Sequence, residues 1–212
     1  MPWLRETVVS CNACRVTVGS VGTTPVDQQA LHLVLCAVEP RLADAWHGIA
    51  ATRPGISVHA GSVLDVRADA VVSPANSYGW MRGGVDALYA RAFPMAEENV
   101  RSAVLAYHGG ELPVGEALLV PTGAGSPRWL VSAPTMREPG EQLAADTVHP
   151  YLAARAILRL WAEGTLEQGT PVRRAVRTIA MPGLGTGVGG VDPATCARQV
   201  AAAWDEVFAL HR

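Results

Sequence analysis

Short apolar runs alternate along this chain with longer segments in which apolar residues recur at helical spacing. Runs of buried-type residues predict strands, and apolar residues three or four positions apart predict amphipathic helices. The runs predict strands over residues 31–38, 56–59, 70–72, 117–120, 129–133 and 177–181. Helical spacing predicts helices over residues 40–51, 84–107, 147–163 and 192–210, with a break in the second helix at Phe93-Pro94 and with Asp192 as the N-cap of the last.

This alternation of strands and helices predicts an α/β fold, in which helices cover both faces of a mainly parallel sheet. Ligands of such sheets bind outside the carboxyl ends of the strands, in the loops that follow them. We therefore expect the chemistry of this protein in the loops after Val38, Val72 and Met181.

Residues 1–28 lack the regular alternation. Two short β-prone runs flank Cys11 and Cys14, and small, turn-forming residues follow. We therefore predict an N-terminal extension, as a hairpin and a linker, ahead of a single domain over residues 29–212. A zinc site needs a second pair of ligands beside Cys11 and Cys14, and Cys36 and Cys196 stand alone. Ordinary thiols and no metal are therefore favoured over the alternatives, a zinc knuckle or a redox pair.

Composition and charge narrow the classes of function. Hydrophobic residues make up 49% of the 212 residues and charged residues 17%, which allows a sizeable core and excludes wholesale disorder. All 17 basic residues are arginine, so no lysine is available as a nucleophile. A net charge of −2 argues against a dedicated nucleic-acid binder. The sequence shows no signal peptide and no apolar run long enough for a bilayer, so we expect a cytoplasmic protein without a membrane partner.

The loop over residues 73–86 runs from a predicted strand into a predicted helix. Gly83 and Gly84 allow backbone amides to approach an anion closely, and the helix N-terminus adds a favourable dipole. Asn76 offers amide donors and an acceptor for sugar hydroxyls. Asp86 is placed to orient a water or a ribose hydroxyl, although the motif alone favours a carboxylate that simply complements the helix dipole from the first turn.

A second glycine loop spans residues 182–190, again between a strand and a helix. Its five glycines in nine residues lose much conformational freedom on folding. Successive backbone N–H groups around a pyrophosphate would offset that cost. No lysine follows either loop, so the Walker pattern of nucleotide-binding proteins is absent.

Together, residues 68–76, 83–86, 133–135 and 181–187 resemble the macrodomain family of ADP-ribose-binding modules. The similarity covers roughly residues 30–210 and is greatest to bacterial and phage members with a Ser-Pro-Ala-Asn-Ser loop. The Gly-Gly-Val-Asp motif resembles the MacroD-type hydrolases, which release mono-ADP-ribose from acidic side chains. This resemblance implies a three-layer α/β/α macrodomain-like fold with a mixed, mainly parallel central sheet.

The resemblance also implies a site. Asn76 is expected at the distal ribose and Asp86 at the reacting bond, so both are candidate catalytic residues. The other ligand-binding residues that it implies are Ser62, Val63, Gly83, Gly84, Val85, Gly183, Leu184, Gly185, Thr186, Gly187 and Val188. No cofactor is expected, and no metal is implied, because no cluster of histidines or carboxylates has ligand spacing.

At the adenine, this chain departs from the family pattern, because Ser62 stands where a carboxylate is usual. Asp65 or Glu39 is the expected substitute. The chain also ends at its last helix, where many macrodomains add a strand. A strand and helix over residues 31–51 can occupy that place and would bring Val38, Glu39 and Arg41 beside the adenine.

A second departure is Gly189, where many hydrolases of the family carry an aromatic residue beside the distal ribose. Tyr78 or Trp80 is the expected replacement. The implied function is hydrolysis of an ADP-ribosyl bond, in a mono-ADP-ribosylated protein or a small ADP-ribose ester. Three alternatives remain open: a non-catalytic reader of ADP-ribose, a phosphatase acting on ADP-ribose 1″-phosphate, and an interaction module with a vestigial cleft. The expected partner is ADP-ribose or an ADP-ribosylated protein, and no sequence-specific nucleic acid.

Overall fold

A computed structural model describes residues 31–209 of the chain. Its strands are β1 (His32–Ala37), β2 (Ile56–Ala60), β3 (Ala70–Ser73), β4 (Leu118–Pro121), β5 (Trp129–Ser132) and β6 (Thr178–Met181). Its α-helices are α1 (Pro40–Ala50), α2 (Gly84–Ala92), α3 (Ala96–His108), α4 (His149–Glu163), α5 (Val172–Ala175) and α6 (Pro193–Ala209). The predicted extension over residues 1–28, its hairpin and the Cys11/Cys14 pair lie outside the described residues.

The six strands form one sheet in the order β2-β1-β6-β3-β5-β4. The first five strands in that order are parallel, and β4 pairs antiparallel with β5 at the edge. This arrangement confirms the mixed, mainly parallel sheet. It also contains the strand predicted near residues 31–38, since β1 lies between β2 and β6.

Alternate residues of the strands face opposite sides of the sheet, and both sides are buried. Leu33 and Leu35 of β1 join one core, to which α1, α4 and α6 contribute. Val34 and Cys36 join a second core, to which α2 and α3 contribute. Because apolar side chains occupy both faces of each central strand, the sheet must be covered twice, and the three-layer α/β/α prediction is confirmed.

Two local predictions about helices are also confirmed. The predicted helix over residues 84–107 is divided at Phe93-Pro94, with α2 ending at Ala92 and α3 starting at Ala96, because proline lacks an N–H and disfavours a helical residue before it. The Oδ2 atom of Asp192 accepts a hydrogen bond from Thr195 N (3.0 Å), as an N-cap of α6 does. The short helix α5 has no counterpart in the predictions.

Asp69 joins three strands at the amino edge of the sheet. Its Oδ2 atom accepts hydrogen bonds from the backbone N–H of Arg177 (2.8 Å) and Thr178 (2.9 Å). Its backbone N–H donates a hydrogen bond to Thr178 O (3.0 Å), and its carbonyl oxygen accepts one from Trp129 N (3.0 Å). The starts of β3, β5 and β6 are therefore fixed relative to one another. Within residues 31–209, no helix combines the length and apolarity that a bilayer crossing requires.

Candidate functional site

A cavity of about 690 Å³ lies at the carboxyl edge of the sheet, within the roughly 300–1,000 Å³ typical of small-molecule sites. Loops after all five parallel strands contribute to its wall, as expected for an α/β sheet. The predicted site residues that line it are Ser62, Val63, Asn76, Gly83, Gly84, Val85, Asp86, Gly183, Gly185, Thr186, Gly187 and Val188. The two glycine loops therefore meet around one space.

Leu184 is the predicted ligand-binding residue that the structure places elsewhere. It is fully buried in the core that faces α6, together with Val191 and Cys196, and it does not line the cavity. The apolar side chain between Gly183 and Gly185 fixes the start of the loop to the protein interior.

Asp86 lies in the first turn of α2 and lines the cavity with only 7% of its surface exposed. Its Oδ1 atom accepts a hydrogen bond of 2.6 Å from Ser73 Oγ, at the end of β3. Burial raises the pKa of Asp86 to about 6, and the bond from Ser73 opposes that shift. A carboxylate with this pKa changes its charge near neutral pH, which suits a general base.

Asn76 lines the cavity, but most of its polar capacity serves its own loop. Its Oδ1 atom accepts from Tyr78 N (3.1 Å) and Trp80 N (3.3 Å), and its Nδ2 donates to Trp80 O (2.7 Å). An amide nitrogen has two hydrogens, so one N–H remains for a ligand. Asn76 therefore shapes the first loop and offers a single donor to the cavity.

The second glycine loop is tightly packed on its outer side. Gly185 has a φ of +69°, a conformation that strongly favours glycine. A Cβ atom at Gly189 would lie 2.7 Å from Gly185 O and 3.0 Å from a Leu143 methyl group. The aromatic residue that many hydrolases carry has no space here, because Leu143 and the loop backbone fill it.

Residues 137–146, which we call the clamp segment, hold this loop from outside. Gln142 Nε2 donates a hydrogen bond to Val188 O, and Leu143 N donates one to Gly189 O (2.9 Å). Two residues of the segment, Pro139 and Gly140, also line the cavity. Sequence reasoning missed this role, because the segment has no regular periodicity and no recognisable motif.

The clamp segment is itself anchored at its start. Arg137 forms a bidentate ion pair with Glu111, through bonds of 2.7 and 3.0 Å. Glu141 Oε2 accepts from the backbone N–H of Arg137 (2.8 Å) and Glu138 (3.0 Å). Arg137 does not line the cavity, so its contacts here are with the protein surface.

Of the two aromatic residues expected near the distal ribose, Trp80 lines the cavity and Tyr78 does not. The Tyr78 hydroxyl instead donates to Glu138 of the clamp segment (3.1 Å). The guanidinium carbons of Arg82 and Arg101 lie 4.0 and 3.5 Å from the centroid of the Trp80 ring. Arginine therefore already covers the faces of this indole.

At the other end of the cavity, the Ser62 hydroxyl accepts a hydrogen bond from Leu64 N (3.2 Å) and caps a short 3₁₀ helix, Val63–Asp65. Of the two carboxylates expected to substitute for it, Glu39 lines the cavity and Asp65 does not. Val38 lines it as well, whereas Arg41 forms an exposed ion pair with Asp192 (3.5 Å). Glu39 is therefore the carboxylate available at this end.

Thiolate and metal chemistry have little support in the described part of the chain. Cys36 lines the cavity, but burial raises the pKa of its thiol to about 12, so it stays protonated at neutral pH. Between residues 31 and 209, no group of three or more His, Cys, Asp or Glu side chains is arranged to hold a metal ion. Of the two carboxylates among the described residues that line the cavity, Glu39 is exposed and Asp86 is buried.

Sequence similarity links the chain to a known family of proteins. The family model described as "Macro domain" matches residues 72–200. An uncharacterized protein of Aeropyrum pernix is 37% identical over 150 residues, which are 70% of this chain and 69% of the relative. An uncharacterized protein of Aquifex aeolicus is 37% identical over 143 residues, 68% of this chain and 76% of the relative.

Solved structures share the fold at low sequence identity. The macrodomain of Mycobacterium tuberculosis DarG aligns with a TM-score of 0.56 at 21% identity, over 70% of this chain and 88% of that chain. Thermosipho africanus DarTG in complex with ADP-ribose aligns with a TM-score of 0.54 at 17% identity, over 69% of this chain and 37% of that chain. The Trypanosoma brucei macrodomain in complex with ADP-ribose aligns with a TM-score of 0.51 at 20% identity, over 88% of this chain and 63% of that chain.

Proposed function

Because the chain belongs to the Macro domain family, we propose that it binds ADP-ribose in this cavity and hydrolyses the bond joining ADP-ribose to a carrier. The observation that supports this most directly is that both glycine loops and the buried Asp86 line the same space. Relatives of the same fold have been solved with ADP-ribose bound.

Backbone amides would hold the diphosphate. Gly83 and Gly84 stand at the N-terminus of α2, where unpaired N–H groups and the helix dipole favour an anion. Gly185 and Gly187 face the same cavity from the second loop. Glu39 would accept a hydrogen bond from the adenine amino group, in place of the carboxylate that Ser62 lacks.

Asp86 would act as the base in hydrolysis. In its ionised form it accepts a proton from a water molecule, whose oxygen then bonds to C1″ of the distal ribose as the bond from C1″ to the carrier oxygen breaks. For an ester of an acidic side chain, the carrier leaves as a carboxylate and the proton is later released to solvent. The bond from Ser73 occupies Oδ1, so Oδ2 is the oxygen available to the water.

The pH dependence of single-turnover hydrolysis tests this assignment. Because the pKa of Asp86 is about 6, the rate is expected to rise about tenfold per pH unit below pH 6 and to level off above it. Asp86→Asn should lose activity by about a hundredfold or more and retain ADP-ribose binding. Ser73→Ala removes the bond that lowers the pKa, so its profile should shift to higher pH. A flat profile, or full activity of Asp86→Asn, would contradict the role of Asp86.

Calorimetry tests the binding half of the proposal separately. ADP-ribose is expected to bind more tightly than AMP, because AMP lacks the distal ribose and the second phosphate. No heat with ADP-ribose would remove the proposal altogether.

A non-catalytic reader is the second candidate, and the geometry of Asn76 favours it. The amide oxygen of Asn76 is used by its own loop, so this side chain has little left for a reacting group. ADP-ribose binding without single-turnover hydrolysis, and without phosphate release from ADP-ribose 1″-phosphate, would identify a reader.

A further inference from the structure

Trp80, Arg82 and Arg101 form a compact unit, which we call the arginine–tryptophan stack. The guanidinium carbons lie 4.0 Å (Arg82) and 3.5 Å (Arg101) from the ring centroid. Both values are close to van der Waals contact, so two guanidinium groups on one face would overlap. The arginines therefore lie on opposite faces of the indole.

In the part of the chain that the structure describes, the N–H donors of both guanidinium groups have no acceptor. With residues 31–209, neither Arg82 nor Arg101 forms a hydrogen bond or an ion pair. Glu97 lies one helical turn before Arg101, at a spacing where ion pairs form. Its carboxylate instead accepts a bond from Met81 N (3.1 Å). The stack thus fixes two cations at the surface and leaves their donors to an external acceptor.

The stack begins inside the cavity and continues outside it. Trp80 and Arg82 line the cavity in the loop that leads to Asp86, and Arg82 is the one cation among the described residues that do so. Arg101 lies on α3 and borders a neighbouring surface groove with Glu98 and Leu105. A carrier attached at the reacting end of ADP-ribose would leave the cavity near Asp86, and so near the stack.

The chemistry of the stack selects an anionic carrier. A guanidinium group stacked on a ring still presents its edge, which matches a carboxylate through two parallel N–H bonds. Leu88, which also lines the cavity, is exposed and gives its rim an apolar contact. The chain has no general basic excess, with a net charge of −2. These features favour an acidic polypeptide over a nucleic acid.

We infer that the arginine–tryptophan stack binds acidic side chains that flank the ADP-ribosylated residue of a carrier protein. This inference rests on the proposed function and adds the class of substrate. Arg82 would take the acidic residue nearest the modification, and Arg101 one farther along the peptide.

Two synthetic peptides provide the test, each with one ADP-ribosylated glutamate. One peptide has aspartate and glutamate on both sides of the modification, and the other has asparagine and glutamine. Binding is measured with the full chain carrying Asp86→Asn, so that the peptides are not consumed. Arg101→Gln is then added, and Arg91→Gln, which removes an exposed arginine of α2 outside the stack, is the matched control.

We expect the acidic peptide to bind about three- to tenfold more tightly than the neutral peptide, with a preference that falls at high salt. Arg101→Gln should reduce this preference to within about twofold and leave the Kd of free ADP-ribose unchanged. Arg91→Gln should leave both unchanged.

Equal binding of the two peptides, or a preference that survives Arg101→Gln, would overturn the inference. Equal weakening of both peptides and of free ADP-ribose would also overturn it, because that result indicates a purely structural role for the stack. A larger Arg101-dependent gain for an ADP-ribosylated DNA oligonucleotide would assign the stack to nucleic acid instead. Failure to bind free ADP-ribose at all would overturn the proposed function as well, and so is distinguishable from these results.

Discussion

At the scale of single residues, the proposed function of Asp86 and the stability of the fold require different protonation states of its carboxyl. Its carboxyl is buried, and a hydrogen bond from Ser73 stabilises the charged form only in part. The pKa in the folded chain, about 6, lies above the ordinary value of 3.8. The protonated form is therefore favoured by the fold, although the proposed chemistry uses the ionised form.

Asp86→Asn is expected to stabilise the protein at neutral pH. Because its folded-state pKa is raised above the unfolded value, the contribution of this carboxyl to stability is fully present below about pH 4 and is lost as the pH rises through about 6. For a shift of two pKa units, the loss at pH 7 is on the order of 3 kcal/mol. Urea unfolding should show Asp86→Asn to be more stable than the parent by about 1–3 kcal/mol at pH 7 and nearly equal at pH 4.

Asp44→Asn, at an exposed position of α1, is the control for that measurement and should change the free energy of unfolding at pH 7 by less than about 0.5 kcal/mol. An Asp86→Asn variant that is less stable than the parent at pH 7 would show that burial is not the dominant influence on this carboxyl.

Two glycines of the second loop are expected to respond differently to one added methyl group. A Cβ at Gly187 would meet no atom within 4 Å, whereas one at Gly189 would lie 2.7 Å from the carbonyl oxygen of Gly185. Gly189→Ala should therefore lower the free energy of unfolding by about 1–3 kcal/mol. Gly187→Ala should change it by less than about 0.5 kcal/mol. Urea titrations of both variants would check this, and equal effects would indicate that the loop can move away from the clamp segment.

At the scale of elements, the clamp segment donates two hydrogen bonds to the second glycine loop, from Gln142 and Leu143. Gln142→Ala removes the bond to Val188 O and should weaken ADP-ribose binding about three- to tenfold, the usual range for one neutral hydrogen bond. The melting temperature of the unliganded protein should hardly change, since the Gln142 side chain is exposed.

Gln199→Ala is the matched control for Gln142→Ala. Gln199 also bonds backbone groups, donating to Thr147 O (2.6 Å) and accepting from Tyr151 N (3.0 Å), but it does not line the cavity. This variant should lose stability and keep its affinity for ADP-ribose. If Gln142→Ala binds like the parent, the glycine loop holds its conformation without the clamp.

The sequence predicts individual elements well and their irregular connections poorly. The six strands were predicted because apolar runs report burial directly, and the end of α2 because Pro94 restricts the backbone locally. The clamp segment was not predicted, because its role depends on Gln142 meeting Val188, 46 positions away. The contact of Arg101 with Trp80 was missed for the same reason, since α3 must first pack beside the loop.

At the scale of the whole molecule, the cavity is formed by loops from all five parallel strands. A ligand there would contact loops that follow all five parallel strands and should stabilise the domain as one unit. At a free concentration of 100 times its Kd, ADP-ribose is expected to raise the free energy of unfolding by about 2.7 kcal/mol. Thermal unfolding with increasing ADP-ribose would show a single transition moving upward. A transition that splits in two would contradict a single cooperative domain.

The layered architecture follows from the alternation of elements, but the order of the strands does not, and Val38 and Glu39 were expected beside the adenine only from the family resemblance. Alternation of elements indicates helices on both faces of a sheet. It does not determine that β1 is inserted between β2 and β6, which brings Val38 and Glu39 to the cavity. Gly183 lies in a glycine-rich loop and Asp86 directly after one, so both positions are recognisable from the glycine content. The position of Glu39 at the cavity depends on the strand order.

The hydrogen bonds of Asp69 lie at the amino edge of the sheet, opposite the edge that holds the cavity. They fix how far β3 and β6 are offset along their length, and so how far apart the two glycine loops begin. A laboratory selection for tighter ADP-ribose binding should therefore reject changes at Asp69 as strictly as changes within the cavity.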